Sequence, residues 1–190
     1  MKNNIIPIEI SARHIHLSRF TLDKLFGKGY SLKNIKPLSQ TGEFAADETV
    51  DVKHKNKIIK NVRVVGPVRS ESQLEITKTD ARSLRLKTPV KQSGDLKDVP
   101  VVVVIRGNKK AQTKVIVAMR HLHVNQEEAK ALKIKNNKKV SILIESKDRS
   151  TTYHDFVVRV KAGYNLSAHL DTDEANAAGL DVCAIGKLVK

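Results

Sequence analysis

Two short stretches carry most of the chemistry open to this chain: Arg13-His14-Ile15-His16 and Arg120-His121-Leu122-His123. In each, an arginine precedes two histidines that are one residue apart. Side chains alternate along an extended strand, so residues two apart share a face and each stretch presents paired imidazoles to one ligand. On a helix the same pair would be splayed apart. Five of the seven histidines fall in these stretches or at His169. His54 and His154 read as solvated turn or strand residues.

A second internal echo adds a third ligand-type residue to each pair. Gln73-Leu74-Glu75-Ile76-Thr77-Lys78-Thr79-Asp80-Ala81 aligns without gaps on Ser167-Ala168-His169-Leu170-Asp171-Thr172-Asp173-Glu174-Ala175, which puts Glu75 at the position of His169. One half of the chain thus offers His14, His16 and Glu75, and the other His121, His123 and His169. Two histidines with a glutamate, and three histidines, are both ligand sets of catalytic zinc sites that keep a fourth position open. Two such sites facing one another across a pseudo-dyad would make a two-metal centre. Arg69 follows a turn and precedes Glu75 by six residues, near enough to share its site. There its planar fork could hold a phosphate or a developing oxyanion. Arg13 and Arg120 occupy repeat-equivalent places and are expected to pair with carboxylates such as Glu9.

Strands and capped helices must position these groups. The residues up to Ile10 read as a strand that leads into the first histidine pair. Ser18 is placed to cap a short helix with an apolar stripe of Phe20, Leu22, Leu25 and Phe26, ended at Gly27 or Gly29. Residues 29–47 read as a loop or small hairpin, and three strands follow at 49–53, 57–60 and 62–65, with Gly66-Pro67 breaking the last. Gln73-Leu74-Glu75-Ile76 is strand-like and runs into an approximate capping box of Thr77 and Asp80. Residues 92–95 read as a linker, 101–105 as a strand buried on both faces, and 114–118 as the strand that leads into the second histidine pair. Asn125 with Glu128 and Asp171 with Glu174 form two more capping boxes, with strands at 140–144 and 153–160 between them. Many short strands with a few short helices predict small barrels or sandwiches rather than a parallel βαβ sheet. The duplication makes pseudo-two-fold barrels the natural architecture.

Composition narrows the partners. The 190 residues can bury one large core or two small ones. No apolar run approaches the roughly eighteen residues of a membrane-crossing helix, and Met1-Lys2-Asn3-Asn4-Ile5-Ile6-Pro7 lacks the pattern of a signal peptide. The single cysteine, Cys183, excludes an internal disulfide, fits a reducing cytosol and reads as packing. A net charge of +15 attracts polyanions: nucleic acid, an anionic membrane, or small substrates bearing several phosphates. The lysines are scattered and aromatic residues make up only 4%, so no base-stacking platform is in view and nucleic acid is not the expected partner.

Several segments taken in order add a resemblance. They are Ile8-Glu9-Ile10-Ser11-Ala12-Arg13-His14-Ile15-His16-Leu17-Ser18, Leu38-Ser39-Gln40 through Phe44-Ala45-Ala46, Val62-Arg63-Val64-Val65-Gly66-Pro67-Val68-Arg69, Ser93-Gly94-Asp95, Arg120-His121-Leu122-His123 and His169-Leu170-Asp171-Thr172-Asp173-Glu174-Ala175-Asn176. Nearly end to end, the chain resembles the zinc-dependent phosphotransacylases of the propanediol-utilisation type, the phosphate propanoyltransferases. The resemblance implies a mainly β fold of two small pseudo-symmetric β-barrels with short capping helices. The first would span 13–120 with an irregular insertion at about 27–47, and the second 121–190, joined by the N-terminal strand 3–12. It implies two zinc ions per chain on His14, His16, Glu75, His121, His123 and His169, with Arg69 as the catalytic arginine.

The family's reaction is reversible transfer of a short acyl group, propanoyl or acetyl, between coenzyme A and inorganic phosphate. A coenzyme A thioester, inorganic phosphate and an acyl phosphate are therefore the expected substrates. One zinc is expected to take the coenzyme A sulfur while the metal pair orients phosphate for direct attack, with no cysteine or serine nucleophile. The chain departs from the family pattern at Thr41, Glu43, Lys91 and residues 105–108, none of them an expected ligand. A cytoplasmic homo-oligomer without a membrane partner is expected. The N-terminal extension that targets some members to a bacterial microcompartment is not seen, and microcompartment association is left open. Two other functions fit the same residues: a zinc-dependent thioester hydrolase on this scaffold, and a basic nucleic-acid-binding double-barrel protein with incidental histidines.

Overall fold

The computed structural model describes residues 4–181 and 184–189; Cys183, expected to pack, lies outside them. The elements run β1 (Ile5–Ser11), β2 (His14–His16), α1 (Arg19–Phe26), β3 (Asn34–Pro37), β4 (Phe44–His54), β5 (Lys57–Gly66), β6 (Gln73–Ile76), α2 (Lys78–Ser83), β7 (Val90–Lys91), β8 (Val101–Arg106) and β9 (Lys109–Ala118). They continue with β10 (His121–Val124), α3 (Gln126–Leu132), β11 (Lys139–Ile144), β12 (Thr151–Val160), β13 (Ser167–Asp171), α4 (Thr172–Ala177) and β14 (Ala184–Val189). The fold is mainly β with four short helices among the described residues. None of these helices is long and apolar enough to cross a membrane.

The chain divides into two compact units, one of residues 1–12, 39–41 and 119–190, the other of 13–38 and 42–118. Each is a closed six-stranded barrel. In the first the order is β1-β13-β10-β12-β11-β14. In the second, β4-β5-β2-β6-β9 is closed by β8, which pairs with both β9 and β4, while β3 and β7 add short outer strands. The two rings have one topology. The histidine strand β2 lies parallel to β5 and antiparallel to β6, and β10 lies parallel to β12 and antiparallel to β13. The chain passes between units one residue before the first histidine pair, at Ala12/Arg13, and two residues before the second, just after Ala118, as well as on either side of residues 39–41.

Alternation along the strands explains where the polar groups go. Ile15 and Leu122, the central residues of the two His-x-His stretches, are fully buried in their respective cores. Their neighbours on either side must then face the opposite side of the sheet. Leu74 and Ile76 do the same for Glu75, and Ala168 and Leu170 for His169. Packing of four strand interiors therefore turns all six ligand-type residues away from the cores. Below the ladders, the helices begin as their caps dictate: Ser18 accepts from the Thr21 N–H, and the Thr77–Asp80, Asn125–Glu128 and Asp171–Glu174 boxes are all reciprocal.

Three expectations about these elements need correction. The strands expected at 57–60 and 62–65 are one strand, β5; Asn61 takes a left-handed conformation (φ 55°) at a shift in the β4–β5 register, a conformation asparagine adopts more easily than most residues. The stretch 101–105 is not buried on both faces. Val102 and Val104 are 2% and 0% exposed and Val101 47%, the alternation of a barrel wall. Phe20 is not part of the buried stripe of α1: it is 75% exposed. Two residues before Leu22 on a turn of about 3.6 residues puts it on the helix's far side.

Candidate metal centres

In the unit containing β2, antiparallel pairing sets His14 opposite Glu75 and His16 opposite Gln73. Glu75 Oε1 lies 3.9 Å from His14 Nε2 and 4.0 Å from His16 Nε2. One ligand atom from each of the three residues falls within 4.8 Å of the others. His16 Nδ1 lies 3.0 Å from the Val65 carbonyl. Donation to that carbonyl fixes the tautomer and leaves the Nε2 lone pair toward Glu75, as metal-ligating histidines do. Burial, with the His14 and Arg69 charges, lowers the His16 pKa to about 3, so the ring is the neutral ligand form. Burial works against ionisation of Glu75. The neighbouring His14, the Ser93 hydroxyl and Arg69 outweigh it and hold the carboxyl below the usual range.

The surroundings of Glu75 form a connected network. Ser93 Oγ donates to Glu75 Oε1 at 2.8 Å and accepts from Gln73 Nε2 at 2.9 Å and Arg69 Nη1 at 3.0 Å. Gln73 Nε2 also bonds Glu75, and Gln73 Oε1 accepts from the Gly94 N–H. Arg69 Nη2 pairs with Glu43 Oε1 at 3.1 Å, and its backbone N–H is anchored on the Leu17 carbonyl. Arg69 is thereby brought to the triad through Ser93. Residues 92–95, expected to be a linker, instead wall this site within one unit. A Ser-Gly turn looks the same in sequence in either role, and only the long-range bonds to Gln73 and Glu75 distinguish them.

In the unit containing β10, His121 pairs with His169 and His123 with Ser167, the repeat-equivalent register. The three ring centroids lie 4.6, 4.9 and 5.0 Å apart, and again one ligand atom from each falls within 4.8 Å of the others. His121 Nδ1 lies 2.9 Å from the Met119 carbonyl. His169 Nε2 lies 3.0 Å from Ser167 Oγ and 3.7 Å from Glu9 Oε2. Gln40 donates to Ser167 Oγ, and Ser39 Oγ donates to the Glu9 carboxylate at 2.6 Å.

His123 is the most telling residue. It is 7% exposed and stacks on Tyr164 at 4.2 Å. Neither of its ring nitrogens has a hydrogen-bond partner among the described residues. A buried polar group left so costs about 1–3 kcal/mol and calls for an explanation such as a bound ion. Burial, reinforced by His121 and His169, holds its pKa well below the ordinary histidine value, so this ring too is a neutral donor. The residues present fit a metal ion in both units.

Glu9 does not pair with Arg13 or Arg120. Parallel pairing of β1 with β13 sets it opposite His169, while Arg13 Nε lies 3.2 Å from Asp80 Oδ2 and Arg120 Nη2 2.8 Å from Glu174 Oε1. Of the two histidines outside the triads, His54 is not simply solvated: its Nδ1 lies 2.8 Å from the Leu84 carbonyl at the end of α2. His154 meets Ser141 on an exposed surface.

Residues 7–181 match the family model described as phosphate propanoyltransferase. Relatives bearing that name include a Thermotoga maritima protein 44% identical over 178 residues, covering 93% of this chain and 85% of its own length. An Alkaliphilus metalliredigens protein is 41% identical over 97% of this chain and 88% of its own. A Salmonella typhimurium protein is 40% identical over 95% and 87%.

Proposed function

The chain belongs to the phosphate propanoyltransferase family, and from that premise we propose that it reversibly transfers a short acyl group, propanoyl or acetyl, between coenzyme A and inorganic phosphate. His14, His16 and Glu75 would hold one zinc ion, and His121, His123 and His169 a second. The observation that carries this reading is the duplicated convergence of three donor atoms, with His123 buried and unsatisfied in one unit and Arg69 linked through Ser93 to Glu75 in the other. When bound, zinc supplies Lewis acidity toward oxygen and a soft partner for a thiolate.

The chain's own residues supply the rest. Ser93 and Glu43 engage Arg69 on two sides and fix its guanidinium beside the triad. A guanidinium carries five N–H donors, so donors beyond those two contacts serve a phosphate or the oxyanion that develops on the thioester carbonyl. In the forward direction a phosphate oxygen forms a bond to the acyl carbon and the carbon–sulfur bond breaks, giving acyl phosphate and the coenzyme A thiolate. Neutralising the attacking phosphate and the oxyanion is the task assigned to Arg69, a type of stabilisation worth about 10²–10³ in rate. The positive charge of the chain favours capture of both polyanionic substrates.

The test is thiol release from propanoyl-coenzyme A with and without phosphate. Release that requires phosphate and yields acyl phosphate is expected. Release at the same rate without phosphate would assign the protein as a hydrolase instead.

A further inference from the structure

One contact outside the triads recurs in both units. The arginine just before each histidine pair reaches an acidic residue five positions after the third ligand-type residue: Arg13 meets Asp80, beyond Glu75, and Arg120 meets Glu174, beyond His169. Each acid is also the capping-box residue of its helix. Asp80 accepts from the Thr77 N–H and Glu174 from the Asp171 N–H, so both carboxylates are anchored to backbone independently of the arginine. The third box, Asn125 with Glu128, follows no third ligand, and Glu128 makes no ion pair among the described residues. The arginine is therefore not part of capping as such. It occurs where a box closes the strand that carries the third ligand-type residue of a triad.

Each triad draws its ligands from two chain segments, and the ladder between them is short: β2 has only three residues. A side-chain tie at the end of such a ladder limits how far the segments can shift, and ligand geometry must be held to about half an ångström for tight binding. We propose that Arg13–Asp80 and Arg120–Glu174 are clamps that set the metal affinity of the triad in their own unit. The two arginines are positioning residues, and the proposal rests on the zinc reading above. The second clamp is the firmer. Arg120 also donates to the His154 carbonyl at 3.1 Å and lies 4.8 Å over the Tyr153 ring. Its side chain is 28% exposed against 47% for Arg13, and exposed ion pairs contribute least.

The experiment is competition for zinc against a chromophoric chelator, using the full chain with one triad disabled. In a His123→Ala background, Arg13→Gln should weaken the remaining site by about 10-fold, the low end of what loss of an outer-shell partner costs, and Asp80→Asn should do the same. In a His16→Ala background, Arg120→Gln should weaken the remaining site by up to about 100-fold, while Arg13→Gln leaves it unchanged. Should Arg120→Gln fail to fold, Arg120→Lys carries the same test. It keeps the charge, loses the planar stack on Tyr153, and should loosen zinc less. Unchanged zinc affinity in these variants, or equal loosening whichever triad remains, overturns the clamp while leaving the zinc reading intact. A wild-type chain that takes up no zinc overturns both.

Discussion

In the unit built on β2 and β6 the third ligand-type residue is a glutamate held by Ser93 and Gln73, whereas in the unit built on β10 and β13 it is a histidine flanked by Ser167 and Glu9. The register is the same in both, so the duplicated scaffold conserves position while the chemistry differs. A divalent ion on two imidazoles and a carboxylate keeps one positive charge, and on three imidazoles it keeps two. What stands behind each triad offsets that difference. The Glu9 carboxylate, 3.7 Å from His169, makes up the difference, while Arg69, linked to the glutamate site through Ser93, is itself paired with Glu43. The comparison teaches that each unit places one carboxylate at its triad, once among the ligands and once beside them.

The largest effect should come from removing a buried ligand in either unit. His16→Ala and His123→Ala should each lose one zinc ion, keep the other, and reduce turnover to background in the phosphate-dependent assay. Loss of both ions from either variant would break the independence of the two sites. Next, Arg69→Ala should lower turnover by about 10²–10³ while metal analysis shows zinc content unchanged. Full activity in that variant would remove the arginine from the account. Smaller effects should separate what stands behind each third ligand. Ser93→Ala, which cuts Glu75 from Arg69, should cost about 10–100-fold in activity or in zinc affinity at the glutamate site. Glu9→Gln should cost least, about 10-fold in zinc affinity at the three-histidine site alone, because the carboxylate is 26% exposed and its neutral isostere still accepts from Ser39.

Much of this site is legible in the sequence alone, because the duplicated segments are short and local. Each Arg-His-x-His stretch spans four residues, the capping boxes follow three-residue spacings, and the gapless repeat sets Glu75 against His169. The mainly β architecture was legible for the same reason, since alternation and turn residues are short-range signals. What was missed depends on pairing between distant segments. Ser93 contacts Glu75 only because the chain returns across β7, and Glu9 faces His169 only because β1 pairs in parallel with β13. Asp80 and Glu174 do not stand out in sequence as the partners of Arg13 and Arg120 because a capping-box acid already has a local role, which hides its second one. Asn61 looked like a strand end because a left-handed residue at a register shift carries the same residue preference as a turn.

Diffraction from crystals of the zinc-loaded chain, collected on both sides of the zinc absorption edge, would test the central claim most directly. The account predicts two anomalous peaks per chain, one within bonding distance of His14, His16 and Glu75 and one within bonding distance of His121, His123 and His169, each about 2.0–2.2 Å from its donor atoms. Zinc-loaded crystals with no anomalous peak at either triad, or with peaks only at other side chains, would contradict it.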